Sequence, residues 1–259
     1  MWVQFCRGAA RHAAAAPPDG PTAPGVVSPP HPGDHVAMNS GQAAEPAEAQ
    51  SGDGSRLTLP EEFLLLALRE VDGRRQLSRS VLKVGVAGAK LAELAVLKAI
   101  DLRGMNVTAT GRVPETEYEH ELELIRDKSR PHTAHHWVSQ LESGRELRRI
   151  CERLVEKGIV DHTAARALGI IPVTRYPRKD HGYDAALQGR IEKTLAGGVD
   201  DPRTEALIAL MDVGGLLHRV VGKPPDPARL NEVARHQWPA HAVAAELGAI
   251  AFAEEEART

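Results

Sequence analysis

Apolar and polar positions along the chain change character at Leu57. Beyond it, leucine, isoleucine and valine recur at helical spacing; before it they are sparse. The run Leu57-Thr58-Leu59-Pro60-Glu61-Glu62-Phe63-Leu64-Leu65-Leu66-Ala67-Leu68 predicts a helix start. Thr58 and Glu61 have the spacing of a capping box, in which each side chain satisfies an early backbone amide. Pro60 suits a first turn, where its missing N–H has no partner to lose. Asp72-Gly73 marks the following turn, Arg74, Arg75 and Arg79 crowd the connection, and Ser78 or Ser80 is expected to cap a helix from Val81 to Ile100. That helix is apolar on most sides and rich in Gly85, Ala87, Gly88, Ala89, Ala92 and Ala95. Small side chains let neighbouring helices approach closely. The segment therefore predicts the central buried helix, with packing offsetting the weak helix propensity of glycine.

Ile100–Leu102 and Val107–Ala109, joined through Arg103-Gly104-Met105-Asn106, predict a short hairpin. Helices are expected over Thr116–Lys128, Thr133–Leu141 and Arg145–Lys157. In the last, Leu147, Ile150, Cys151, Leu154 and Val155 share one side and Arg145, Arg149, Arg153 and Lys157 step along the other. Gly158-Ile159-Val160 and Ile170–Thr174 read as arms of a second hairpin, with a loop around Thr163–Leu168. Further helices are expected near Tyr183–Leu195, Thr204–Val213, Arg229–His236 and Ala240–Glu255. The fold class is mainly α: a single helical domain around a central buried helix, with one or two short β-hairpins.

Composition adds a boundary. Of 259 residues, eight of the 18 prolines fall in residues 1–56, which are also dominated by alanine and glycine. Such a tract buries too little apolar surface to offset chain entropy, so residues 1–56 are expected to be a disordered tail and 57–259 the helical domain. Met38 offers an alternative start, and the acid-poor first residues leave a transit peptide open. No segment has the uninterrupted apolar length of a membrane span; the best, Val81–Ile100, carries Lys83, Lys90, Glu93 and Lys98. The two cysteines, Cys6 and Cys151, make no disulfide framework and suit a reducing cytosol.

Several stretches resemble the Golgi phosphoprotein 3 family of phosphoinositide-binding peripheral membrane proteins. They are the Leu57–Leu68 run, Leu91-Ala92-Glu93-Leu94-Ala95, Leu154-Val155-Glu156-Lys157-Gly158-Ile159, Thr174-Arg175-Tyr176-Pro177 and Asp201-Pro202-Arg203-Thr204, in the family's order between about Leu57 and Ile250. The resemblance implies a helical domain, a projecting β-hairpin, a basic pocket for phosphatidylinositol 4-phosphate and no enzymatic activity. It also implies a peripheral location on the cytosolic face of a membrane and an adaptor role toward cytosolic tails of membrane proteins. That membrane is the Golgi in a eukaryote or the inner face of the plasma membrane in a bacterium; the alanine-, arginine- and glycine-rich composition points to a GC-rich bacterial genome. Aligned through Glu93, the family's pocket tryptophan and its three arginines fall at Ser78, Ala87, Gly144 and Leu147, none of which matches.

The residues themselves offer three basic groups: Arg74, Arg75 and Arg79; Arg145, Arg148, Arg149 and Arg153; and Arg175, Arg178 and Lys179. Arginine suits phosphate because its planar fork donates two parallel bonds. Arg74, Arg75, Arg79, Arg145, Arg148 and Arg149 are the expected contacts to an anionic lipid headgroup; a solvated face balanced by Glu142, Glu146, Glu152 and Glu156 is the plain alternative. Leu168, Ile170 and Ile171 are candidates for membrane insertion or for a subunit contact through the hairpin, and packing on the domain's own core explains them as simply.

Other chemistry is thinly signalled. His132 and His136 are four apart and could share a metal on a helix, although a solvated helix start explains them more simply. Gly85-Val86-Ala87-Gly88 lacks the spacing of a dinucleotide loop, and neither a P-loop nor a Gly-x-Ser-x-Gly elbow is present; no cofactor is expected. A winged-helix nucleic-acid-binding protein is the competing reading, since Leu94–Ala109 and Leu154–Val173 each read as helix then hairpin. Acids and bases are nearly equal in number after residue 56, which supplies no broad phosphate footprint.

Overall fold

The computed structural model describes residues 56–167, 171–179, 181–198 and 201–258, with side chains except at 165–173 and 181. The chain divides into residues 1–49 and residues 50–259. Apart from Arg56, the expected tail lies outside the described residues.

Helix α1 (Leu59–Leu66) begins as its sequence demands. Thr58 takes an extended conformation and Pro60 lies in the first turn. The Glu61 carboxylate accepts from the Thr58 N–H at 2.8 Å, while the Thr58 hydroxyl meets the Tyr118 hydroxyl at 3.0 Å. All eight residues of α1 are buried, so the helix is a core strut rather than a surface element.

Helix α2 (Arg79–Val96), capped by Ser78, is the central helix and packs against α1 and the later helices α4 (Ala134–Leu141), α5 (Gly144–Glu156), α7 (Pro202–Val213) and α10 (Trp238–Glu256). Its glycines are contact points. A Cβ on Gly85 would overlap the Phe63 ring of α1, and one on Gly88 would overlap Val243 of α10. The helix stops at Val96, short of the expected Ile100. Lys98 adopts φ 56°, and Ile100 joins strand β1 (Ile100–Arg103) instead. β1 pairs with β2 (Asn106–Ala109), Ile100 opposite Ala109 and Arg103 opposite Asn106. A two-residue strand, β3 (His132–Thr133), extends this sheet by pairing with Asn106 and Val107; two residues are too few to give a period.

Between them lies α3 (Glu119–Arg126), followed by α4 (Ala134–Leu141) and α5 (Gly144–Glu156). The second hairpin differs from expectation in its first arm. Strand β4 is Thr163–Ala167 and pairs with β5 (Ile171–Arg175), Thr163 opposite Arg175. The segment Gly158–Val160 is the exit from α5: Gly158 has φ 71° and the Ile159 N–H returns to the Leu154 carbonyl at 3.0 Å. The alanine-rich Thr163-Ala164-Ala165-Arg166-Ala167 has little β propensity, so only the partner strand reveals it.

Helices α6 (His181–Leu195), α7 (Pro202–Val213), α8 (Leu217–Val220), α9 (Pro227–Ala234) and α10 (Trp238–Glu256) complete the domain. Asp201 caps α7 by accepting from the Arg203 and Thr204 amides at 3.2 and 3.3 Å. α8 is a single turn that no period announced. Trp137 is buried and Trp238 packs against the core, as their apolar neighbours predict.

Candidate functional site

The connection between α1 and α2 folds back on itself. Leu68 bridges Arg75, the Arg69 N–H donates to the Arg74 carbonyl at 2.7 Å, and the Gly73 N–H donates to the Arg69 carbonyl at 2.9 Å. Gly73 has φ 62°, and a Cβ there would overlap the backbone of Tyr176 and Pro177. Glycine is thus required twice, for its left-handed backbone and for the close approach. The Tyr176 N–H donates to the Gly73 carbonyl at 3.3 Å, which seats the connection against the end of β5.

A cavity of about 310 Å³ lies among this connection, the starts of α2 and α5, and the end of β5. Leu64, Leu68, Leu82, Leu147 and Cys151 give it an apolar lining. Arg75, Arg79, Arg148, Thr174 and Tyr176 supply its polar groups. Burial pushes the Cys151 thiol up to about 12. Burial, then Cys151 and Glu152, also raise the Tyr176 phenol against the opposing pull of Arg148 and Arg75. Both groups are protonated at neutral pH, so the cavity's charge is that of its three arginines.

Those arginines are exposed and make no hydrogen bond or ion pair with a carboxylate among the described residues. Their setting compounds the positive charge. Arg79 is the first residue of α2, whose first turn holds no acid. Its guanidinium lies over Gly144, the first residue of α5. Each helix N-terminus carries a partial positive charge, so a cation between two of them is unfavourable until an anion joins it.

The six expected headgroup contacts divide. Arg75, Arg79 and Arg148 line the one cavity. Arg145 and Arg149 line a second cavity of about 580 Å³ that shares Arg79 and Gly144 with the first. Its charge is mixed: Lys90 pairs with Glu121 at 2.7 Å and Glu146 at 3.5 Å, and Arg149 reaches Glu146 at 3.8 Å. Arg74 lines neither and pairs with Asp72 at 3.3 Å.

Three of the remaining basic residues, Arg153, Lys157 and Arg178, tie elements of the fold together. Arg153 pairs with Glu61 at 3.2 Å and Glu117 at 2.7 Å, and Lys157 also joins Glu61. Arg178 bonds Asp184 and the Leu65 carbonyl. Lys179 reaches Asp161 at 3.8 Å, and Arg175 is absent from the cavity wall. Its flanking residues Thr174 and Tyr176 line the wall instead, because alternate residues of a strand share a face. That two-residue spacing was the signal by which sequence could have added them.

Leu168 and Ile170 lie outside the described residues; Ile171 opens β5, and its side chain lies outside them too. The rings of His132 and His136 stack with centroids 4.1 Å apart, while His135 Nε2 pairs with Glu246 at 2.6 Å. Among the described residues, no group of three or more His, Cys, Asp or Glu could hold a metal ion.

Of the four positions aligned with the family's pocket residues, Gly144 and Leu147 line the first cavity. Ser78 instead caps α2, its Oγ accepting from the Val81 N–H at 3.3 Å, and Ala87 is buried in the core. The family model for Golgi phosphoprotein 3 (GPP34) matches residues 59–250. The chain belongs to the Golgi phosphoprotein 3 family. Compared with curated proteins, it finds no match. GPP34 membership is consistent with a lipid-binding peripheral membrane protein, and among the described residues no helix is long and apolar enough to cross a membrane. The GPP34 scaffold here carries its cavity arginines at Arg75, Arg79 and Arg148, all outside the four aligned positions.

Proposed function

We propose that this protein binds the phosphate of an anionic lipid headgroup in the Arg75–Arg79–Arg148 cavity, holding the protein at a membrane surface without catalysing a reaction. The observation that carries the reading is three arginines, without a carboxylate partner among the described residues, around one cavity of mixed apolar and polar lining. Each guanidinium can give a phosphate two parallel bonds, and charge-assisted hydrogen bonds contribute roughly 1.5–3 kcal/mol each. The family resemblance makes phosphatidylinositol 4-phosphate the first headgroup to try. An adaptor role toward cytosolic tails of membrane proteins, and insertion or self-association through Leu168, Ile170 and Ile171, belong to the same proposal. The nucleic-acid alternative draws less support, since Arg153 and Lys157 of the α5 segment are neutralised by Glu61 and Glu117.

Sedimentation with vesicles tests the reading. Phosphatidylcholine vesicles containing phosphatidylinositol 4-phosphate or phosphatidylglycerol should carry the protein down, and pure phosphatidylcholine should not. Binding should weaken as salt rises, because exposed charges are screened beyond about 10 Å at 0.1 M. Equal binding to neutral and anionic vesicles, or binding to neither, overturns the proposal.

A further inference from the structure

Gly144 opens α5, and a neighbour occupies the place of its missing side chain. A Cβ there would lie 2.5 Å from Arg79 Nη2, 3.3 Å from Cζ and 3.4 Å from Nε. Contact with three atoms of one guanidinium means that the group lies across the first turn of α5. No hydrogen bond or ion pair to a described residue directs it, so this packing governs where its donors point. Arg79 and Gly144 are also the two residues at the start of a helix that border both cavities.

We infer that Gly144 is a positioning residue for anion recognition. By lacking a side chain it seats the Arg79 guanidinium on the wall shared by the two cavities, and Arg79 joins Arg75 and Arg148 on the bound phosphate. The inference rests on the headgroup-binding reading above and adds to it a residue with no donor of its own. The geometry also separates binding from folding. The atom nearest the vacant position is the far end of a flexible side chain, so an added methyl can be accommodated by moving Arg79 away. Gly144 has no left-handed backbone requirement, and alanine has the better helix propensity. Gly144→Ala is therefore expected to hold or raise stability while it lowers affinity, the reverse of what a generally damaging substitution does.

A double-mutant cycle tests this. Wild type, Gly144→Ala, Arg79→Ala and the double variant are titrated by calorimetry with soluble inositol 1,4-bisphosphate. They are also sedimented with phosphatidylcholine vesicles with and without phosphatidylinositol 4-phosphate. Gly144→Ala should weaken both kinds of binding about three- to ten-fold, equivalent to about 0.6–1.4 kcal/mol, with an unchanged or higher Tm. Arg79→Ala should weaken binding at least as much, and adding Gly144→Ala to it should cost nothing more. Full affinity in Gly144→Ala, or an undiminished Gly144→Ala penalty in the Arg79→Ala background, overturns the inference. Loss of vesicle binding alone, with soluble headgroup binding intact, assigns Arg79 to the bilayer surface and also overturns it. Arg148→Glu separates the two levels. If Arg148→Glu removes binding while Gly144→Ala retains it, only the Gly144 role falls; if wild type binds neither ligand, the headgroup reading falls as well.

Discussion

Glu93 and Arg203, 110 residues apart, meet inside the core: Arg203 Nη1 donates to Glu93 Oε1 at 2.9 Å. Both are buried. Glu93 Oε2 accepts from the Leu59 N–H at 2.6 Å, and Arg203 Nη2 donates to the Leu57 carbonyl at 2.6 Å. Three of the motifs that mark the family in sequence therefore converge on one buried node, which fastens the start of α1 to α2 and α7. These motif residues stabilise the scaffold, and the cavity arginines lie elsewhere.

Arg203→Met should be strongly destabilising. It leaves the Glu93 carboxylate buried without its partner, a change that costs about 3–5 kcal/mol. Urea unfolding should show a lower midpoint. An unfolding free energy within about 0.5 kcal/mol of wild type would show that the node contributes little.

The arginines divide by role in the same measurement. Arg148→Ala removes an exposed side chain with no ion-pair partner among the described residues and should change stability by less than about 0.5 kcal/mol while weakening vesicle binding. Arg178→Ala removes bonds to Asp184 and the Leu65 carbonyl and should lower Tm. Arg74→Glu, at a residue outside both cavities, should retain most of the vesicle binding that Arg148→Glu loses.

Gly88→Ala tests the close packing of the central helix. Its Cβ would overlap Val243 and lie 3.1 Å from Leu210 Cδ2. Overpacking of this kind costs typically about 1–3 kcal/mol, against a helix-propensity gain of up to about 1 kcal/mol. Net destabilisation in thermal unfolding is expected, in contrast to Gly144→Ala, where the obstructing group is free to move.

His136 should make stability pH-dependent. Burial, then the neighbouring His132, Lys128 and His135, hold its imidazole below the usual value of 6.5. The unfolded chain therefore binds a proton at a higher pH than the folded one, so this residue's contribution is present above about 6.5 and is lost as pH falls through the lowered folded value. The wild-type Tm should drop over that acid window, and the drop should shrink in His136→Gln. An identical profile in the variant would remove His136 as its source.

Local patterns in the sequence were sufficient for most helices. The Thr58–Glu61 spacing and Pro60 announced α1, and Ser78 or Ser80 the start of α2, which Ser78 caps. The glycines and alanines of α2 announced close packing, because caps and periods are contained within a few consecutive residues. β4 was illegible, since its alanines acquire strand geometry only from pairing with β5. The site followed the same division. Arginine content and the failure at the family's aligned positions were visible in one dimension. Which arginines lack a carboxylate partner among the described residues was not: Arg153 is taken up by Glu61, 92 residues away, and Arg178 by the nearby Asp184 and the distant Leu65 carbonyl, while Arg75, Arg79 and Arg148 are left to one cavity. Gly144 read only as a missing arginine. Its role as the surface on which Arg79 lies arises from the approach of α2 to α5, a relation between chain segments that tertiary packing alone decides.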